Sequence, residues 1–186
     1  IQYNPKLAED EFTRAGYPRK ESGVRFTLKY KTTPRREGIE QGLIVKEMLS
    51  KVGVELEINV VEPAVFFASI NKRNFDLYSS RWIGISDPSI LYSTLHSEHE
   101  RNRVSYNNPQ VDLMLNQAMS ESNSLRRESL FLSIQNKMIQ DLPYFPLWYW
   151  KNAAIIKKGL VGLKSTDLSL SGDFMPISIL RRKKIK

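Results

Sequence analysis

Few side chains in this sequence have the type and spacing to do chemistry, and most of those suit holding a molecule better than transforming one. Two imidazoles stand close together in His96-Ser-Glu-His99, with Glu98 and Glu100 beside them. On one helical turn such a pair can share a metal ion, but structural and catalytic zinc sites take three or four ligands. A solvated polar loop after the 88–95 helix is the expected reading of the cluster. There is no cysteine, hence no thiolate ligand, thiol nucleophile or disulfide. The chain has no glycine-rich phosphate loop, G-x-S-x-G elbow or HExxH run. No enzymatic activity, metal or cofactor is expected.

A contact surface is the better candidate. Trp82 closes the apolar run Phe75-Asp-Leu-Tyr-Ser-Ser-Arg-Trp82, and Gly84 follows it. Ligands of open α/β sheets gather outside the carboxyl ends of the strands, where an indole offers a flat, rigid apolar wall. Gly84 there leaves room for a ligand to approach the backbone. The alternative for Trp82 is a place in the core. Arg81 alternates with Trp82 and leaves a strand on the other face, so both meet one ligand only if the strand end twists. Asp87 before Pro88 reads as a helix N-cap, its carboxylate partly committed to backbone N–H groups. The segment Tyr144-Phe-Pro-Leu-Trp-Tyr-Trp150 is either a stacking surface or packed strand, with Pro143 and Pro146 arguing for an edge; packing is the expectation for most of its rings.

Alternating strands and helices must position these groups. Asn4 and Pro5 open a helix that Gly16 closes. Val24, Phe26, Leu28 and Tyr30 alternate with Arg25, Thr27, Lys29 and Lys31, as in a half-buried strand. Gly42, Val45, Met48, Leu49 and Val52 recur at helical spacing before Gly53, and Val54, Leu56, Ile58 and Val60 form a second strand. Pro63 opens a short helix carrying Phe67 and Ile70, and 75–82 reads as a third strand. Helical crossovers between strands imply a largely parallel sheet holding 24–31, 54–61 and 75–82. Three helices then follow. One starts at Asp87-Pro88 and bears Leu91 and Leu95; one starts at Asn108-Pro109 and bears Val111, Met114, Leu115 and Ala118; and one over about 123–142 turns Leu130, Phe131, Ile134 and Met138 inward. A further strand is expected at 153–157.

The 186 residues suffice for one domain or one lobe of something larger, and 41% apolar with 26% charged residues is ordinary globular material. No apolar run reaches bilayer-spanning length. Of the net charge of +8, five units come from Arg181, Arg182, Lys183, Lys184 and Lys186, leaving 8 − 5 = +3 for the body. Such a terminal run reads as a solvated tail. The start, Ile1-Gln-Tyr-Asn-Pro5, has neither Met nor a signal peptide, so a piece of a longer protein is expected.

The ordered series Ala15-Gly-Tyr-Pro18, two strand-helix units, the run Phe75 to Pro88, Tyr106-Asn-Asn-Pro-Gln-Val-Asp112 and Leu142 to Trp150 resembles the C-terminal lobe of peptide/oligopeptide-type solute-binding proteins of ABC importers (extracellular solute-binding protein family 5). The resemblance covers nearly the whole chain. It implies an α/β fold, the C-terminal lobe of a two-lobed periplasmic-binding-protein fold with a mixed sheet flanked by helices, over 1–151. It also implies that 152–186 returns to an N-terminal lobe, with a basic tail at 181–186. In such proteins a strand ending W-x-G opens onto the ligand cleft, so Trp82, Arg81, Gly84, Ser86, Asp87, Tyr106 and Asn107 become the expected binding residues. The partners implied are a peptide or other small solute, the ABC permease subunits and the N-terminal lobe; the place is periplasmic or cell-surface. One departure stands out. The family's acidic anchor for a peptide α-amine follows W-x-G, whereas this chain has Ile85 there and a loop one residue shorter, leaving the ligand open between an unusual peptide and another solute. The rival reading is a small basic α/β domain that binds nucleic acid, supported only by the net charge and the tail; with no RRM, KH or zinc signature, nucleic acid is not expected.

Overall fold

The structure, a computed structural model, describes residues 2–82, 85, 87–148, 157–158, 160–161 and 181–182. They fall into two compact units, divided between Ser80 and Arg81.

The first unit is a parallel sheet with helical crossovers. Helix α1 (Pro5–Arg14) begins as expected, with Asn4 Oδ1 accepting from the Leu7 N–H at 3.0 Å. Strand β1 (Phe26–Thr32), helix α2 (Arg36–Ser50), strand β2 (Val54–Val60), helix α3 (Pro63–Asn71) and strand β3 (Leu77–Tyr78) follow. The sheet order is β2-β1-β3, with both pairings parallel and β1 and β2 in register from Phe26 opposite Val54 to Thr32 opposite Val60. All three expected strand segments thus share one sheet.

The third strand is much shorter than 75–82, and side chains supply the reason. On one side the Asp76 carboxylate takes the Lys29 N–H at 2.8 Å. On the other, the Ser79 hydroxyl lies 2.5 Å from Tyr30 Oη and donates to Gln41 Oε1 at 2.6 Å. Side-chain bonds on β1 and α2 take over where the backbone ladder stops.

Tyr30, Val52, Val54, Leu56, Phe66 and Ile70 are buried in this unit. Gly42 is required beneath Tyr30, since a Cβ there would lie 2.8 Å from the ring. Gly53 turns α2 into β2 at φ +80, a left-handed conformation that suits glycine. Two expectations fail on the helices. Phe66, four residues before Ile70, shares its inward face, so Phe67 points outward at 49% exposure. Met48 is likewise exposed.

The polar side of β1 also departs from simple alternation. Thr27 and Lys29 are exposed, but Arg25 and Lys31 at the two ends are buried. Arg25 donates to the carbonyls of Val52, Tyr17 and Glu9, to Thr13 Oγ1 and to the Glu9 carboxylate. Lys31 Nζ donates to the Asn74 carbonyl at 2.6 Å. Long cations reach backbone oxygens that crossover turns bring over the strand ends.

The second unit is built on helices α4 (Ile90–Leu95), α5 (Pro109–Ser120) and α6 (Ser124–Asp141). Its core is Leu95, Val111, Leu115, Ala118, Phe131 and Ile134, with Leu91, Met114, Leu130 and Met138 packed against it. These are the positions picked out by the helical period. Asn108 caps α5, accepting from the Gln110 and Val111 N–H groups at 3.1 and 3.4 Å. Antiparallel pairing is confined, among the described residues, to a separate two-stranded ladder of β4 (Leu160–Val161) and β5 (Arg181–Arg182), which takes in the first two residues of the basic tail. Residues 149–151, the strand expected at 153–157 except Lys157, and most of 152–186 lie outside the described residues. No described helix is long and apolar enough to cross a membrane.

Candidate functional site

The expected binding residues on the second unit are largely exposed, and α6 engages the polar atoms of a second group among them. Trp82 is 40% exposed and Ile85 41%, so neither belongs to the core. The Arg103 guanidinium lies over the Trp82 ring, 5.3 Å from its centroid, a cation–π contact. Arg81 and Asn107 are exposed. Gly84 and Ser86 lie outside the described residues.

Asp87 belongs to the second group, and its role differs from the expected N-cap. Helix α4 starts only at Ile90, and the Asp87 carboxylate instead closes a turn ahead of it, with Oδ1 accepting from the Ser89 N–H at 2.8 Å. Arg127 grips both oxygens from α6, Nη1 to Oδ2 at 3.0 Å and Nη2 to Oδ1 at 2.8 Å. This bidentate pairing is the strong form of a charge-assisted hydrogen bond. Together with the Ser89 contact, it holds the carboxyl well below the usual carboxylate range, and it raises the guanidinium in return. Arg127 is itself seated: its Nε donates to the Ala118 carbonyl at 3.3 Å, and its guanidinium lies 4.8 Å from the centre of the Phe131 ring.

Tyr106 packs its ring against the helical core and donates its hydroxyl to Asp141 Oδ2 at 2.6 Å. The same oxygen accepts from Asn108 Nδ2 at 2.7 Å, and Lys137 Nζ lies 3.2 Å from Oδ1. Burial, and then the Asp141 carboxylate, push the phenol up to about 12; the Tyr106 and Asn108 hydrogen bonds, with Lys137, lower Asp141.

The loop between α4 and α5 has a keystone that pattern reading missed. Asn102 is fully buried, its amide donating to the carbonyls of His96 and Tyr106 at 3.3 and 2.7 Å, while its Oδ1 accepts from the Tyr106 N–H at 3.0 Å. Asp112 ties the loop start to α5 by accepting from the Ser97 N–H and hydroxyl at 2.9 and 2.5 Å. His96 and His99 serve the same loop, each accepting a backbone N–H on Nδ1, from Glu98 at 3.3 Å and Arg101 at 3.1 Å. Among the described residues no group of three or more His, Asp or Glu could hold a metal ion. Asn102 sits next to Arg103, so the keystone fixes the residue that meets Trp82. Neither Asn102 nor Arg127 carries a periodic signal: each acts through partners that the fold alone brings near.

Comparison with known proteins places this geometry. The chain is 29% identical over 158 residues to the periplasmic murein peptide-binding protein MppA of Escherichia coli (strain K12), covering 83% of this chain and 29% of MppA. It is 27% identical over 177 residues to the oligopeptide-binding protein AppA of Bacillus subtilis (strain 168), covering 88% of this chain and 32% of AppA. The solved structure of B. subtilis AppA in complex with a nonapeptide matches in fold with a TM-score of 0.73 at 22% identity, over 98% of this chain and 38% of that one. The chain thus spans about three-tenths of the length of these curated relatives. The family model for bacterial extracellular solute-binding proteins, family 5 middle, matches residues 2–102. With more than half of its 186 residues inside that match, the chain belongs to the bacterial extracellular solute-binding proteins of family 5.

Proposed function

We propose that this chain is the ligand-binding part of an extracytoplasmic substrate-binding protein that delivers a peptide or a related small solute to the permease subunits of an ABC importer. The observation that carries the reading is the family match over residues 2–102, joined to relatives named for binding peptides. In this reading residues 1–151 form the C-terminal lobe, and 152–186 returns to an N-terminal lobe. The two lobes close on the ligand about a hinge, and closure reports occupancy to the permease. Trp82 supplies the apolar wall, and Arg81, Gly84, Ser86 and Asn107 are the further residues assigned to the ligand in this reading. Asp87 and Tyr106 already have their polar atoms engaged by Arg127 and Asp141, so they meet the ligand only by giving up those partners.

The test uses the full-length protein and a synthetic mixture of tripeptides to pentapeptides, with binding followed by calorimetry beside a thermal melt. Trp82→Ala is expected to weaken binding by about 1–3 kcal/mol, the loss typical of one aromatic anchor, with the melt unchanged. Unfolding by this substitution would move the wall elsewhere. Absence of peptide binding, with tight salt-sensitive capture of DNA or RNA, would overturn the reading in favour of a nucleic-acid-binding domain.

A further inference from the structure

We infer that Arg127 withdraws the Asp87 carboxylate from the ligand, so that peptides with free and with blocked amino ends are held alike. The inference rests on the peptide reading above and names the chemical class of ligand within it.

Asp87 is the acidic residue nearest to Trp82 along the chain, and thus the carboxylate to set against a ligand ammonium there. Three of its roughly four acceptor positions are filled, two by Arg127 and one by the Ser89 N–H. An ion pair this exposed adds little to stability, but its geometry governs availability. The guanidinium arrives already fixed by the Ala118 carbonyl and the Phe131 ring, so little side-chain freedom is lost when it grips Asp87. A ligand ammonium approaching Asp87 must displace one arm of that fork and then sit beside a fixed positive charge. At the other end of the segment, Trp82 carries the Arg103 guanidinium over its ring, and Ile85 is exposed between the two. With the Arg103 guanidinium over the indole, that face already carries one cation, which disfavours an ammonium group there. Arg127 is therefore a positioning residue: it acts on the ligand through Asp87.

The experiment offers the full-length protein two synthetic mixtures of tripeptides to pentapeptides, identical except that one is N-acetylated, and measures the amounts captured by mass spectrometry. The expected result is capture of both within about twofold. Loss of the acetylated mixture by about tenfold or more, the weight of one good hydrogen-bonded partner, would overturn the inference alone. Capture of neither would overturn the peptide reading and the inference with it. Arg127→Leu, or Arg127→Gln should the leucine variant fail to fold, is expected to create a several-fold preference for free amino ends as Asp87 becomes available. Arg127→Lys, which keeps a cation beside Asp87, should retain parity. A purely structural arginine would lower capture of both mixtures equally. Parity in every folded variant would place Asp87 beyond the ligand's reach and overturn the role given to Arg127.

Discussion

The sheet unit and the helical unit bury polar groups by opposite means. In the sheet unit the most buried polar side chains include two cations, Arg25 at 4% exposure and Lys31 at 8%, and both end on backbone carbonyls. In the helical unit the most buried polar group is the neutral Asn102 amide, while the ion pairs Asp87–Arg127 and Lys137–Asp141 stay at the surface. Topology explains the contrast. The polar face of β1 is open at Thr27 and Lys29 and closed only at its ends, where a long side chain can reach the carbonyls of neighbouring turns. A helix satisfies its own backbone, so its unit needs polar help only where a loop leaves the helices, and a short amide suffices.

The sharpest way to break this contrast is to remove the buried guanidinium. Arg25→Met keeps most of the volume but strips partners from the Glu9 carboxylate and the Val52 and Tyr17 carbonyls. The expected loss is about 3 kcal/mol, as two carbonyls lose a buried charged donor while Glu9 keeps Arg19. Hydrogen exchange should show it in α1 and around Gly53, with α5 and α6 spared. The reciprocal substitution, Ile134→Ala at a site with no exposure, should cost about 3 kcal/mol and loosen α5 and α6 first. If either variant strips protection evenly from both units, they do not stand apart energetically and the comparison loses its meaning.

The same contrast governs what could be read from the amino-acid sequence. The helical core was legible because a helix face repeats: Val111, Met114, Leu115 and Ala118 mark one stripe, and Leu130, Phe131, Ile134 and Met138 another. Strand alternation located β1 but misjudged Arg25 and Lys31, because period two separates faces without telling which ends a crossover turn will cover. Phe66 and Phe67 are adjacent apolar rings, and only the phase set by Ile70 chooses between them. At the candidate site, the place of Trp82 after a strand marks it as a ligand wall rather than core, and it is exposed. The partners of Asp87 and Tyr106 lie forty and thirty-five residues away, on α6. No local pattern encodes such pairs, and an Asp before Pro looks like a helix cap until the arginine is seen.

A smaller effect should follow from the loop keystone. Asn102→Ala leaves the Tyr106 N–H and carbonyl and the His96 carbonyl without their buried partner. The cost expected is about 2 kcal/mol, within the range for stranding buried polar groups. Because Arg103 follows directly, the variant should also loosen the guanidinium from Trp82. Tryptophan fluorescence in a Trp148→Phe, Trp150→Phe background would report this as easier acrylamide quenching of Trp82. Unaltered quenching beside a lowered melt would show that the keystone serves stability alone.

The mildest probe is acid, and its sign separates the two units. Glu9 falls from the ordinary 4.5 to about 2 in the folded protein, chiefly through its hydrogen bond from Arg19, with Arg25 adding to it. A carboxyl depressed by folding contributes stability above its unfolded pKa, and that contribution fades as pH drops toward the folded value. The clasp of α1 should therefore begin to weaken below about pH 4.5 and be largely lost near pH 2. Asp141 is depressed as well, by Tyr106, Asn108 and Lys137, but starts from an ordinary value of 3.8. Its loosening of the α6 end should set in later on the way down. Amide protection in α1 divided by that in the core of α5, each corrected for the intrinsic effect of pH on exchange, isolates the difference. The ratio should be flat above about pH 5 and fall between about pH 4.5 and 3. A constant ratio across that window would mean that Glu9 holds α1 no more firmly when ionised than when neutral, leaving the clasp to the Arg25 bonds with Thr13 and the backbone carbonyls.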